Sequence, residues 1–272
     1  MSRLILSRKG FDSSSGGCAS PLIGDELLSL PIPQAKTGIS YSNLMWKGKS
    51  YSKWMKGLTS KELGDCHLDP DLMNEQIPAR DNWKAAFGQH GSSLTHLQSE
   101  GVGVGDIFLF FGWFKEARLE NDQWVFVKGA PNLHIIFGYL EIGEIIDLSV
   151  QAAPTFLSHH PHVKAKDSFK RGGNQIFVAA DRLSINKELP AWGTFTFKET
   201  LCLTGIEGKR SKWILPACFF DKRGNCKLSY HRKFKGEKLV GRDQYLLQSV
   251  PRGQEFVTEV DEEMETWLRS IF

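Results

Sequence analysis

Cysteine is scarce in this chain and has no metal-binding spacing. The five cysteines among 272 residues never form a C-x-x-C pair, which disfavours a zinc finger or zinc ribbon. Their odd number, without a secretory leader, predicts a reduced, cytoplasmic protein. The longest strongly apolar run, residues 107–114, is too short to cross a bilayer as a helix. We therefore expect no membrane partner.

Several familiar catalytic signatures are also missing. The sequence contains no Walker loop, no G-x-S-x-G elbow of a serine hydrolase and no deaminase pair of H-x-E with P-C-x-x-C. The glycines at 101–105 follow a predicted helix and precede a predicted strand, the wrong order for a dinucleotide-binding fold. The formal net charge of +3 is too small to indicate nucleic-acid binding by itself.

The chain does contain enough apolar material for a core. Its hydrophobic content of 41% and aromatic content of 11% exclude a disordered protein. Strands are predicted from β-branched and aromatic content at residues 106–114, 123–127, 133–146, 175–179, 194–198 and 213–215. Helices are predicted at 81–100 and 261–271, and residues 151–172 read as a long polar loop.

These elements predict an α+β fold. We expect a curved mixed or antiparallel sheet or β-barrel flanked by helices. The chain should form a single domain over 1–272, with a β-rich centre at about 106–200. The pattern over 106–146 is similar to small barrel modules of the PUA, ASCH and EVE type, which read RNA or modified bases.

The N-terminal turn offers groups that bind anions. A short apolar strand runs into Arg8, Lys9 and Asp12, and three serines precede Gly16 and Gly17. An arginine fork and an ammonium can hold a phosphate. The two glycines allow positive φ, so that backbone N–H groups could form an anion nest. The alternative is a flexible solvated loop.

Two histidine motifs have the composition of a catalytic or metal site. His67, Asp69 and Asp71 alternate along the chain, which in a strand would place them on one side and could hold a divalent cation. Pro70 argues against a regular strand, and the acids could instead cap turns. The second motif contains His160 and His162, which could bind metal, act as acid or base, or lie in a surface loop.

The C-terminal region adds further polar candidates. His231 follows Ser229 by two residues, and Arg252, Gln254 and Glu255 form a late cluster. Together with Arg8, this cluster could bind a phosphate or a base edge, and Gln89 could do the same. The alternative is a buried polar network that fixes a loop.

Motifs along nearly the whole chain resemble the nucleotide modification associated domain 3 family of bacterial and phage proteins. They comprise residues 7–12, 16–17, 20–21, 28–33, 66–72, 86–89, 105–114, 160–162, 228–231 and 248–257. The resemblance implies an association with base modification. It supplies no established catalytic residues.

The first hypothesis is therefore an enzyme that acts on a nucleotide or on a base in DNA. Its catalytic candidates are Asp12, His67, Asp69, His160, His162, His231 and Glu255. Its phosphate-binding candidates are Arg8, Lys9, Gly16, Gly17, Arg252 and Gln254. The cofactor is unknown, and the residues are compatible with a divalent metal. The alternatives are a non-catalytic reader of modified nucleic acid, with Trp113 stacking a base, and a nucleotide sensor in phage defence or counter-defence.

Overall fold

The computed structural model describes residues 2–169, 172–205, 208–250 and 253–272. In chain order its strands are β1 (Arg3–Arg8), β2 (Ser20–Ile23), β3 (Glu26–Leu27), β4 (Ile32–Pro33), β5 (Met45–Trp46), β6 (Lys49–Ser50), β7 (Cys66–His67), β8 (Ala86–His90), β9 (Ile107–Glu120), β10 (Gln123–Phe126), β11 (Leu133–Asp147), β12 (Asn174–Ala179), β13 (Trp192–Thr194), β14 (Lys212–Pro216), β15 (Glu237–Lys238), β16 (Gln244–Gln248) and β17 (Glu255–Glu259). The helices are α1 (Tyr51–Met55), α2 (Gly91–Ser99), α3 (Pro161–Lys164) and α4 (Glu262–Ile271). Strands dominate over helices, which confirms the predicted α+β class.

A large mixed sheet organises the molecule. Its main path runs β17-β1-β9-β11-β12-β8, with β2, β3, β10 and β13 attached beside it. Strand β1 is parallel to β9 and antiparallel to β17, so the first strand lies between the middle and the end of the chain. Strands β9 and β11 form a long antiparallel pair.

The predicted barrel is wrong for the part of the chain that the structure describes. Closure would require β8 to pair with β17, but these two strands are the opposite ends of the path. Register shifts in β11, between Ile136 and Gly138 and between Ile142 and Glu144, bend the sheet locally. The sheet remains open, and the likeness to PUA, ASCH and EVE modules is not confirmed.

The strands predicted at 106–146 are confirmed by the β9–β11 pair, and Asp106 directly precedes β9. The Asp106 carboxylate accepts the backbone N–H groups of Arg3 at 2.6 Å and Gly103 at 2.8 Å. It therefore ties the start of β9 to the start of β1. The helix predicted at 261–271 is also present, capped by Asp261, which accepts the N–H of Met264 at 2.9 Å.

The helix predicted at 81–100 is wrong over its first half. Ala86–His90 form strand β8, which pairs with β12, and only Gly91–Ser99 are helical. Gly88 has no side chain, and the space that a β-carbon would fill is occupied by the ring of His162. The strand predicted at 194–198 is also misplaced, since β13 ends at Thr194. The loop predicted at 151–172 includes the short helix α3.

One apolar cluster extends from Leu4 in β1 to Ile271 in α4, and a second lies under the N-terminal turns around Phe11 and Trp54. Strand β1 is buried between its neighbours, so the charged residues at its end emerge at the rim of the sheet. Among the described residues, no helix is long and apolar enough to cross a membrane.

Candidate functional site

A cleft opens where β1 ends. It consists of two adjoining cavities of about 540 and 280 Å³. Both cavities are lined by Arg8, Asp12, Ser14, His134 and Arg210. We call the larger cavity the arginine arm; its further lining includes Phe111, Trp213 and Phe256. We call the smaller cavity the histidine arm; its further lining includes His67, Asp69 and His162.

Two guanidinium groups lie where the arms meet. Arg8 donates from Nη2 to the carbonyl oxygen of Gly253 at 2.9 Å. The guanidinium of Arg210 lies over the Trp113 ring, 4.0 Å from its centroid. Burial lowers the pKa of each arginine. Neither forms an ion pair with a carboxylate within the described ranges, so both keep donors that suit an anion.

His134 contacts the same junction. Its backbone N–H donates to Thr204 Oγ1 at 2.7 Å, and its Nδ1 accepts from Trp213 Nε1 at 3.1 Å. The same Trp213 N–H also donates to the Arg210 carbonyl oxygen at 3.0 Å. Burial lowers the pKa of His134 to about 3, and the charges of Arg210 and Arg8 act in the same direction. The cleft thus contains a neutral imidazole between two cations.

The histidine arm is built around the carboxylate of Asp69. Its Oδ1 accepts the N–H of Gly88 at 2.9 Å and lies 3.7 Å from His160 Nε2. Its Oδ2 lies 3.2 Å from His67 Nε2 and 3.5 Å from His162 Nε2. Burial opposes ionisation of Asp69, but the neighbouring imidazoles of His160 and His67 hold its pKa well below the usual range. Asp69 is therefore an anion at neutral pH.

The ring of His162 is fixed on three sides. It stacks on Phe169 with ring centroids 4.2 Å apart, and it lies against Gly88, where a β-carbon would come within 2.5 Å of the ring. Asn174 Nδ2 donates to the His162 carbonyl oxygen at 3.2 Å, so Asn174 Oδ1 faces His162 Nδ1 at 2.5 Å. The ring proton is therefore on Nδ1. Burial lowers the pKa of His162 to about 3.

The two histidine motifs of the sequence each contribute part of this cluster. One ligand-type atom from each of His67, Asp69 and His162 lies within 4.8 Å of the others. Asp71 does not line the cleft. It pairs instead with Arg80 and accepts from Trp83 Nε1 at 3.1 Å. His160 supports the cluster from behind, because its Nδ1 accepts the backbone N–H of His162 at 3.2 Å.

Lys9, which lines the histidine arm, forms a network with the buried Glu255. Glu255 Oε1 accepts from Lys9 Nζ at 2.8 Å and from Gln89 Nε2 at 2.6 Å. The Lys9 side chain is 11% exposed and that of Glu255 is 1% exposed. The charge of Lys9 is thus neutralised within the protein.

Hydrogen bonds within the N-terminal turn stabilise it. Asp12 Oδ1 accepts the N–H groups of Ser14 at 2.7 Å and Ser15 at 2.6 Å. Burial opposes ionisation, but these bonds keep the pKa of Asp12 below its usual value. The Gly17 N–H donates to the Asp12 carbonyl at 2.9 Å, and a β-carbon at Gly16 would overlap the Phe11 ring. The two glycines permit this turn and do not line the cleft.

The C-terminal candidates separate in space. Gln254 lines the histidine arm. His231 is fully buried, and both ring nitrogens contact the backbone: Nδ1 lies 3.3 Å from the Ser229 carbonyl, and Nε2 accepts from Val250 at 3.1 Å. His231 therefore does not enter the cleft. Arg252 lies outside the described residues.

Arg210 and His134 are two residues at the junction of the arms that the sequence did not identify as candidates. His134 could have been found, since it is a lone polar residue in the apolar stretch 133–137. Arg210 stands among other charged residues in a loop, and no spacing marks it.

The fold and the cleft define an α+β protein in which two half-buried guanidinium groups adjoin a histidine–carboxylate cluster. The chain belongs to the nucleotide modification associated domain 3 family, whose model matches residues 3–259. The family name associates the chain with nucleotide modification. The chain matches no curated protein and no solved structure. The family resemblance of the sequence motifs is thereby confirmed.

Proposed function

We propose that this chain is an enzyme that acts on a nucleotide or on a base in DNA, and that the cleft is its active site. The observation that carries the proposal is the junction of the two arms. There, groups that bind phosphate lie next to a cluster that can do chemistry. Family membership supports a nucleotide as the ligand.

The phosphate would bind between Arg8 and Arg210. Charge-assisted hydrogen bonds from arginine to phosphate are strong and directional, and burial strengthens them further. The neutral imidazole of His134 lines both arms at the same place. The cavity volumes of about 540 and 280 Å³ together leave room for a ligand of nucleotide size.

The reacting base or sugar would extend into the histidine arm. Asp69 is ionised there while His162 is neutral at the same pH. Catalytic sites typically contain neighbouring groups whose pKa values are shifted, so that one group is charged and the other neutral at the same pH. Asp69 and His162 are therefore our candidates for the reactive groups, and His160 and Asn174 position them.

A non-catalytic reader is less well supported. It would need an accessible aromatic face, but Arg210 covers one face of Trp113 and Trp113 Nε1 donates to Asn132 Oδ1 at 2.8 Å. It would also not need a buried histidine–carboxylate cluster. A nucleotide sensor would use the same arginines and is separated from an enzyme by turnover.

The test is mass spectrometry of nucleosides from the DNA and nucleotide pool of cells that express the wild type, Asp69→Asn or the exposed control Asp243→Asn. We expect a new or missing nucleoside with the wild type and with Asp243→Asn, but not with Asp69→Asn. Identical profiles in cells with and without the chain would contradict an enzyme. Tight binding of purified protein to nucleotides without turnover would indicate a sensor.

A further inference from the structure

We infer that His67, Asp69 and His162 bind one divalent first-row transition-metal ion in the histidine arm. The catalytic meaning of this ion rests on the proposed function. The binding itself does not, because it can be measured without any nucleotide. The inference follows from spacing, from the placement of ring protons and from the residues that hold the cluster.

The spacing of the ligand atoms suits a metal ion. Asp69 Oδ2 lies 3.2 Å from His67 Nε2 and 3.5 Å from His162 Nε2. Nitrogen and oxygen ligands at about 2.1 Å from a tetrahedral or octahedral ion are about 3.0–3.5 Å apart. The separations from Asp69 to each histidine therefore already match those that a shared ion requires, and the ligand atoms of His67 and His162 lie within 4.8 Å of each other.

The position of the ring proton of His162 also favours a cation at this site. Asn174 assigns the ring proton of His162 to Nδ1, so the Nε2 lone pair faces the carboxylate oxygen of Asp69. Two acceptors then face each other at 3.5 Å with no hydrogen between them. A metal ion between these atoms would turn this repulsive contact into two bonds.

The surrounding residues act as outer supports of a metal site. The bond from His162 Nδ1 to Asn174 is the kind of contact that orients a metal-bound imidazole. Gly88 supplies both the N–H for Asp69 Oδ1 and the space for the His162 ring. Oδ1 is thus occupied by the scaffold, and Oδ2 is directed to the two histidines.

The ligand set indicates the class of metal. Two imidazoles and one carboxylate favour iron, zinc or a similar ion over calcium and magnesium, which prefer oxygen ligands. Three protein ligands leave a coordination position for water or substrate. All three ligands line the histidine arm, which gives that position access to the cleft.

The experiment uses the full chain, stripped with a chelator and titrated with Co(II) as an optical probe. We expect one Co(II) per chain, with visible ligand-field bands. His67→Gln, His162→Gln and Asp69→Asn should each weaken binding by about 100-fold or more, and Asn174→Ala by about 10–100-fold. The control His159→Gln changes an exposed histidine that does not line the cleft, and it should bind like the wild type.

Absence of stoichiometric Co(II) binding by the wild type would overturn the inference. So would binding that survives all three ligand substitutions. If those variants fail to fold, X-ray absorption of the Co(II)-loaded wild type decides the matter: it should show two imidazoles and a carboxylate. Metal binding without any change in nucleosides would contradict the proposed function and leave this inference intact.

Discussion

The imidazole of His162 lies directly against the α-carbon of Gly88, so that a β-carbon at position 88 would come within 2.5 Å of His162 Cδ2. The N–H of the same glycine donates to Asp69 Oδ1 at 2.9 Å. One residue of β8 therefore sets the positions of both a histidine and a carboxylate of the cluster.

Gly88→Ala should displace the His162 ring. The added methyl group overpacks a buried contact, which typically costs about 1–3 kcal/mol of unfolding free energy. We also expect weaker Co(II) binding. Urea denaturation measures the loss of stability, and Co(II) titration of the same samples measures the loss of binding. Gly103→Ala is the control, because a β-carbon there meets nothing within 4 Å and should change stability by at most about 0.5 kcal/mol. Equal effects of both substitutions would show that His162 does not depend on Gly88.

Arg8→Ala should weaken the binding of mononucleotides and short DNA. Loss of a charge-assisted hydrogen bond to phosphate corresponds to about 1.5–3 kcal/mol. Calorimetric titration measures this loss, and thermal melts should show largely intact folding. Arg242→Ala, at an exposed position, is the matched control. Equal affinity of the wild type and Arg8→Ala would remove the phosphate role, whereas a lower melting temperature with unchanged binding would make Arg8 a structural residue.

Lys9→Met should destabilise the protein strongly. It leaves the carboxylate of Glu255 buried without its cation, and breaking a buried pair in this way costs about 3–5 kcal/mol. Arg118→Met breaks the exposed pair with Glu120 and should cost about 0–1 kcal/mol. Urea unfolding of the two variants at neutral pH gives the comparison. Similar losses for both would mean that the Lys9–Glu255 pair is not desolvated.

His134→Gln should reduce the loss of unfolding free energy that occurs as the pH falls below about 6.5. The pKa of His134 is lowered to about 3 in the folded chain, so below about pH 6.5 the unfolded chain binds more protons and unfolding becomes favourable as pH falls. Between pH 6.5 and 5 the wild type should lose about 1–2 kcal/mol more than His134→Gln. Urea unfolding at both pH values measures the difference. An equal loss of stability in the wild type and in His134→Gln between the two pH values would mean that His134 can become protonated in the folded protein.

The strands around 106–146 could be predicted because their apolar and β-branched residues pack in a sheet whatever lies beside them. Residues 86–90 could not. Gly88 lowers strand propensity as well as helix propensity, and its reason for being glycine is a ring that lies 74 positions later in the chain. Local pattern carries no information about such a contact.

The candidate site was predictable only in fragments. The motif around His67 and the motif around His162 each indicated metal or acid–base chemistry. Their joining depends on β8 lying between them and pairing with β12, which no spacing reveals. Lys9 and Arg8 are neighbours with the same charge, yet a carboxylate from β17 neutralises Lys9. That difference is set by tertiary structure.

The position of β1 between β9 and β17 has a consequence for biosynthesis. A chain that emerges from the ribosome amino end first exposes one edge of β1 until residues 255–259 have been made. Until then Arg8 lacks the Gly253 carbonyl and Lys9 lacks Glu255. Nascent and prematurely terminated polypeptides that lack β17 therefore carry an incomplete cleft and an unpaired strand edge, which can pair with another chain.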